Sequence, residues 1–397
     1  MIISRSEIEN LNRKELFSNP PDIERHFWEK ALDWAVGKVF KNISVFKNLY
    51  PAAASVRNVY PLIENNDWTT SFWPGMLWLV WESTGDKIFK DAAEERIDDF
   101  HFRLNNRINV DTHDLGFLYS LSCVAPWKLT ANISAKETAL KAADHLLMRY
   151  SEKIGIIQAW GNLNDPDQRG RIIIDCAMNL PLLYWASQVT GNPHYKEAAQ
   201  WHIHQANNHL IREDWSSFHT YYFDIETGSP LRGNTAHGFS DDSCWARGQA
   251  WGIYGNALSY KYTGNREYTE CARGLARYFL NRLPEDLISY WDLIFTKGNE
   301  DRDSSASAIT ACGLLELASQ LPQSDPDRRV FENAALHIVS SLTSSYTTEP
   351  VANSTGLLLH GVYSKQENMG VYECTIWGDY FYLEALVRIV KGWKPYW

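Results

Sequence analysis

The chain has 397 residues, of which 45% are hydrophobic and 22% charged, and a formal net charge of −10, an ordinary balance for a soluble protein with a large core. That charge argues against nucleic acid or an anionic membrane as partner, since both reward basic patches, and the longest apolar run, Gly75–Trp81, is too short to span a bilayer. The opening residues lack the apolar core of a signal peptide, and the six cysteines lie far apart without C-x-x-C or metal-ligand spacing, so buried free thiols and a cytoplasmic location are expected.

In chain order the pattern predicts helix after helix and few strands. A helix near 24–43 comes first, behind an N-terminal extension over 1–23. Next an apolar helix through Trp78 and Trp81 ends at Thr84-Gly85-Asp86, followed by an amphipathic helix to about Leu104. The unit recurs as Leu118 to Trp127 with 134–150, and as Leu182 to Thr190-Gly191-Asn192 with a helix to about Ile211. Ser259 to Thr263-Gly264-Asn265 with a helix to Leu283, and Ala308 to Leu321 with 327–343, continue it, and a last apolar helix covers 376–391. The Thr-Gly-Asp/Asn step suits a left-handed C-cap followed at once by an N-cap. Six helix pairs, the last too apolar to cap an open solenoid, predict an all-α fold: an (α/α)6 barrel, or six-hairpin toroid, with long rim loops and a single domain over 1–397.

Polar clusters recur where each apolar helix begins, at Asp67, Asp111, Arg171, Asp241, Asp301 and Glu373. N-capping accounts for Asp, Ser and Thr there, whereas the accompanying Arg, His and Trp predict a shared pocket on one rim. Inserts near 212–242 and 345–372 interrupt the helical pattern, and loops of that length usually shape a site. Phe218–Asp224 with the Glu226–Ser229 turn reads as a hairpin wall.

No metal-binding H-E-x-x-H, phosphate loop or nucleophile elbow occurs, and His202 and His204 read as solvated on an outer helix. No cofactor is expected, and carboxylates remain as the chemistry. Asp175 sits between Ile172-Ile173-Ile174 and Cys176-Ala177-Met178, where desolvation would raise its pKa and suit it to donate a proton. Asp114 begins a helix, which would favour its ionised form. Environments that drive two carboxylates apart are those of acid/base work.

The runs Asp67-Trp68-Thr69, His113–Ser120, Gly155–Gly161, Gly170–Cys176, Trp245–Gly255, Arg302–Ala308 and Thr375–Tyr380 resemble glycoside hydrolase family 88, the unsaturated glucuronyl hydrolases, from about residue 25 onward. The resemblance implies an (α/α)6 barrel without metal or organic cofactor. Its implied substrate is a small molecule, the lyase-made glycosaminoglycan disaccharide ending in a 4,5-unsaturated uronic acid. In the implied reaction Asp175 protonates C4 of the enol ether and activates the water that adds at C5, while Asp114 holds ring hydroxyls and tunes Asp175. Trp68, Trp160, Trp245 and Trp251 match sugar-stacking positions. His219 and Arg247 match polar contacts, with Arg247 expected on the uronate carboxylate, and His113 and Ser364 complete the expected substrate contacts.

One departure concerns sulfate. Members favouring sulfated substrates carry an Arg near 232–240 and a Ser-x-x-Ser-x-Lys run near the C-terminus. Here Ala236-His237 stands in the first place, and Ser364-Lys365-Gln366-Glu367-Asn368-Met369 in the second. Glu367 would repel sulfate unless Lys365 or Arg232 compensates. The rival readings are an unsaturated rhamnogalacturonyl hydrolase acting on pectin fragments, and a non-catalytic sugar-binding protein.

Overall fold

The computed structural model describes residues 5–163, 165 and 168–397; the first four residues of the expected extension lie outside them. Among the described residues the inner helices are Phe72–Thr84, a segment over 115–130, Pro181–Thr190, Ala246–Thr263, Ser304–Gln320 and Ile376–Lys391. Each is apolar on nearly all sides: every residue of 246–259 is buried, as is every residue of 376–387. Outside them lie Arg25–Phe46, the pair Lys87–Glu94 and Ile97–Asn105, Ile133–Leu147, Pro193–His209, Arg266–Asn281 and Pro326–Ser345. These bury one stripe and solvate the other, as outer helices must.

Each inner helix packs on the next, and Ile376–Lys391 packs on both Ser304–Gln320 and Phe72–Thr84, so the ring closes. The (α/α)6 barrel expected from the helix pairs is the observed fold. Trp397 is buried among the inner helices, stacked on Phe381 and edge-on to Phe117, with its indole donating to Glu384 Oε2 at 3.0 Å.

Inner helices pass to outer ones through short turns at one end of the barrel. Gly85, Gly191 and Gly264 all take φ near +70 to +75°, which a side chain would strain. Asp86, Asn192 and Asn265 then accept from the amide two residues on, at 3.0–3.1 Å. Outer helices return to inner ones through long connections, all at the opposite end. These hold every strand of the molecule among the described residues. The insert near 212–242 forms the expected hairpin, Thr220–Phe223 with Pro230–Asn234, and Arg171–Ile173 adds a third strand beside it. The insert near 345–372 carries a second hairpin, Gly361–Ser364 with Met369–Glu373.

No helix is long and apolar enough to cross a membrane among the described residues, and all six cysteines are buried free thiols.

Candidate active site

The long connections enclose a cavity of about 260 Å3 lined by Trp68, Asp114, Trp160, Ile173, Asp175, His219, His237, Trp245, Arg247 and Tyr363. Five of the six connections supply all of these residues except Arg247, which comes from the first turn of helix Ala246–Thr263.

Asp175 lies on a single turn of 3-10 helix, Ile174–Met178. That turn is wedged between two glycine faces. A Cβ on Gly116 would stand 2.2 Å from Asn179 Cα, and one on Gly255 would stand 2.3 Å from the Ala177 side chain. With those methyls absent, the turn sinks into the wall and carries its carboxyl with it. Burial pushes the Asp175 pKa up to about 6, the neighbouring Asp114 charge adding to the rise while His113 opposes it. Asp175 lines the cavity, and its Oδ2 is buried without a hydrogen-bond partner.

Asp114 is driven the other way. Burial alone would raise its pKa, but the His113 ring 3.3 Å away, the Thr112 hydroxyl donating at 2.8 Å and Asn179 together hold it below the usual carboxylate range. The helix that follows, Leu115–Tyr119, has five residues. Helical backbone continues through Ser120–Val124 and Ala125–Thr130, so Asp114 stands at the start of an inner helix, as the sequence suggested, and these side-chain partners favour its ionised form as well.

A strip of backbone joins the two acids. His113 N donates to Ala159 O at 2.7 Å, Ala159 N donates to Arg171 O at 2.9 Å, and Ile174 N donates to His219 O at 3.1 Å. Trp160 stands on this strip, with the Arg171 guanidinium 3.9 Å from its ring centroid. Arg149, buried behind, grips the strip through Gln158 O and Gly161 O at 3.0 Å each.

His219 shows its tautomer. Its Nδ1 accepts the amides of Ala236 and His237 at 3.0 and 3.2 Å, so its proton resides on Nε2, which points at Asp175 Oδ2 3.8 Å away. Burial, with His237 and the Arg247 charge beside it, holds its pKa far below the ordinary range, and burial and Arg247 bring His237 down to about 3. Both rings are neutral at physiological pH. His237 stacks on His219 at 5.1 Å and meets Trp245 at a tilt at the same distance.

Arg247 reaches the cavity with its hydrogen-bonding capacity largely spent. Nη1 pairs with Asp303 at 3.1 Å and also donates to Val362 O, and Nη2 donates to Tyr363 O at 2.7 Å. Trp245 and Trp377 cover its faces at 4.4 and 4.9 Å. The free planar fork expected for a carboxylate is occupied by the protein itself. What Arg247 gives the site is positive potential and a clamp on the 361–364 strand.

Trp68, Trp160, Trp245 and His219 thus meet the two acids at the cavity, while three expected contacts stand elsewhere. His113 is fully buried behind Asp114. Trp251 is fully buried in the core against Phe117 at 5.2 Å and Phe381 at 5.4 Å. Ser364 is buried on its strand and outside the cavity lining. His202, read as solvated, is also fully buried, and its Nδ1 accepts from Ile157 N at 2.8 Å; its neighbour on the helix, Trp201, takes the exposed face instead.

The rim acids mostly brace loops: Asp301 binds Lys365, Asp241 accepts from Thr235 N, and Glu373 accepts from Arg57 N and Asn58 N. Other members of the same clusters, Trp68, Asp114, Asp175, Trp245 and Arg247, line the one cavity, as a shared pocket requires. His237 and Tyr363 had gone unassigned. Tyr363 accepts from Trp68 Nε1 at 3.0 Å, and its only signal was membership in a long insert. Among the described residues no group of three His, Cys, Asp or Glu is placed to hold a metal ion.

Residues 52–326 match the profile of Glycosyl Hydrolase Family 88. The unsaturated chondroitin disaccharide hydrolase of Streptococcus pyogenes serotype M1 is 46% identical, over 98% of each chain. The crystal structure of unsaturated glucuronyl hydrolase from Streptococcus agalactiae superposes with a TM-score of 0.97 at 44% identity, covering 100% of both chains. A UGL structure solved with dGlcA-Glc-Rha-Glc superposes at 0.90 and 46% identity, over 92% of this chain and 97% of that one. With the family profile, the relatives and the barrel in agreement, the chain belongs to glycosyl hydrolase family 88.

Proposed function

We propose that the chain removes a 4,5-unsaturated uronic acid from the non-reducing end of glycosaminoglycan disaccharides made by polysaccharide lyases. The observation that carries this reading is the opposed pair of acids, Asp175 raised to about 6 and Asp114 held below its usual range, in a cavity walled by Trp68, Trp160 and Trp245. The 46% identity to an unsaturated chondroitin disaccharide hydrolase supports the substrate class.

In this reading neutral Asp175 gives its proton to C4 of the enol ether, and positive charge develops on C5 and the ring oxygen. Asp175, now a carboxylate, takes a proton from the water that adds at C5. The C5 hemiketal opens to a ketone by breaking its bond to the ring oxygen, and the hemiacetal left at C1 collapses to release the second sugar. Asp114 accepts from ring hydroxyls. His219 Nε2–H holds the water or the Asp175 carboxylate, and Arg247 attracts the uronate by charge, its fork being engaged with Asp303 and the 361–364 strand.

The hairpin near 361–373 supports a preference for unsulfated disaccharides. The Lys365 ammonium is bound by Asp301, Arg232 lies over Tyr222 at 5.3 Å, and Glu367 adds a negative charge. The six buried free thiols suit a reducing compartment, which supports the cytoplasm.

Loss of ultraviolet absorbance from the conjugated double bond tests the reaction, with unsaturated chondroitin, hyaluronan and heparin disaccharides as substrates. Absorbance is expected to fall with wild type and not with Asp175→Asn. Persistence on all three, with loss on unsaturated pectin fragments, would transfer the assignment to rhamnogalacturonyl chemistry. Faster turnover of a 6-sulfated than of an unsulfated chondroitin disaccharide would overturn the sulfate preference.

A further inference from the structure

We infer that Phe239 and Phe295, on the outer lip of the cavity, form a second sugar platform that receives the next residues of longer unsaturated oligosaccharides. This rests on the proposed reading of the cavity. The lip begins two residues after the cavity-lining His237, so Phe239 stands within about 7 Å of it along the chain. Phe239 is 54% exposed and its neighbour Ile294 is 53% exposed. The Phe239 and Phe295 rings meet edge-on at 5.2 Å, and the buried Trp291 backs both, at 6.3 and 5.9 Å.

The platform is held as firmly as the cavity wall. The fully buried Asp292 accepts from Phe239 N at 2.8 Å, Ser243 Oγ at 2.6 Å and Ile294 N at 3.0 Å, which fixes both halves of the lip to one carboxylate. Asp292 also forms a backbone bridge with Trp245, a wall of the cavity. From the other side Gln366 donates to Gly238 O. An exposed phenylalanine backed by the half-buried Phe295, on so rigid a support and continuous with a sugar site, suits the C–H face of a pyranose. Volume points the same way. The cavity holds about 260 Å3, less than the roughly 300–1,000 Å3 of pockets that enclose a drug-sized ligand. A chain longer than two rings must leave it across the rim.

The test compares wild type, Phe239→Ala and Phe295→Ala on an unsaturated chondroitin disaccharide and the corresponding tetrasaccharide, by loss of absorbance. Expected is a fall of roughly three- to tenfold in tetrasaccharide kcat/KM, carried by KM, with disaccharide kcat/KM changed less than about twofold. Equal losses on both substrates, or none on the tetrasaccharide, would overturn the platform. So would an altered elution volume in gel filtration with tetrasaccharide kinetics intact, because the lip would then join copies of the chain. If wild type turned over neither substrate, the proposed reaction would fail. Calorimetric titration of tetrasaccharide into wild type and Phe239→Ala would then decide the platform separately, with weaker binding to the variant supporting it and equal binding overturning it.

Discussion

At the turn end of the barrel, Thr84-Gly85-Asp86, Thr190-Gly191-Asn192 and Thr263-Gly264-Asn265 fold alike down to single hydrogen bonds. Each Thr hydroxyl donates to the carbonyl four residues back at 2.7–2.8 Å and accepts from the amide two residues on at 3.1–3.2 Å. At the rim end no two connections match, and the cavity draws on most of them. Local chemistry is complete within nine residues at the first end, Val80 to Ile88 in the first copy, and repeats. At the second a side chain acquires its role from partners tens to hundreds of residues away, so nothing repeats.

The comparison can be broken most sharply at Asp175. Asp175→Asn at the rim is expected to lower kcat by about 10²–10⁴-fold with thermal stability nearly unchanged, and near-normal turnover would remove the residue from the chemistry. Next in size is the buried pair. Asp303→Ala strands Arg247 and uncaps helix Ser304–Gln320, whose amides at Ser305 and Ala306 it holds. A loss of roughly 3–5 kcal/mol by urea titration is expected, and a loss under 1 kcal/mol would mean the guanidinium finds water instead.

A third prediction uses pH. Asp175 must carry its proton to deliver it, so wild-type kcat/KM should decline as pH rises through about 6. Asp114→Asn removes a charge that raises the Asp175 pKa, and His113→Gln removes a neighbour that lowers it. The alkaline limb should therefore move to lower pH in the first variant and to higher pH in the second. Shifts of the same sign in both would show that His113 acts only as packing. The smallest effect belongs to the turn end: Asp86→Ala should cost about 1 kcal/mol of stability and leave kcat/KM within experimental error. A kinetic change there would mean that the two ends communicate.

That contrast also explains what could be read from the sequence. The six helix pairs and their turns were legible because period and capping are local, and Gly85, Gly191 and Gly264 stand where a left-handed cap requires them. The direction of the Asp175 shift was legible too, because three isoleucines precede it in the chain. The Asn179 contribution to the Asp114 shift was hidden, since Asn179 approaches only in three dimensions, whereas Thr112 and His113 stand beside Asp114 in the chain. The engagement of Arg247 was hidden, because Asp303 and the carbonyls of Val362 and Tyr363, which take its donors, lie 56 to 116 residues away. Trp251 was misread because a tryptophan one turn deeper along a helix looks the same in sequence as one at its mouth.

The closure of Ile376–Lys391 on Phe72–Thr84 has a consequence for synthesis. Phe72, buried against Tyr380 and Phe381 in the finished barrel, leaves the ribosome some 300 residues before they do. At about 5–20 residues per second, its face waits roughly 15–60 s for its partner. The nascent chain therefore carries an open apolar seam through most of translation, and that seam is where a chaperone would act and where truncated chains would aggregate.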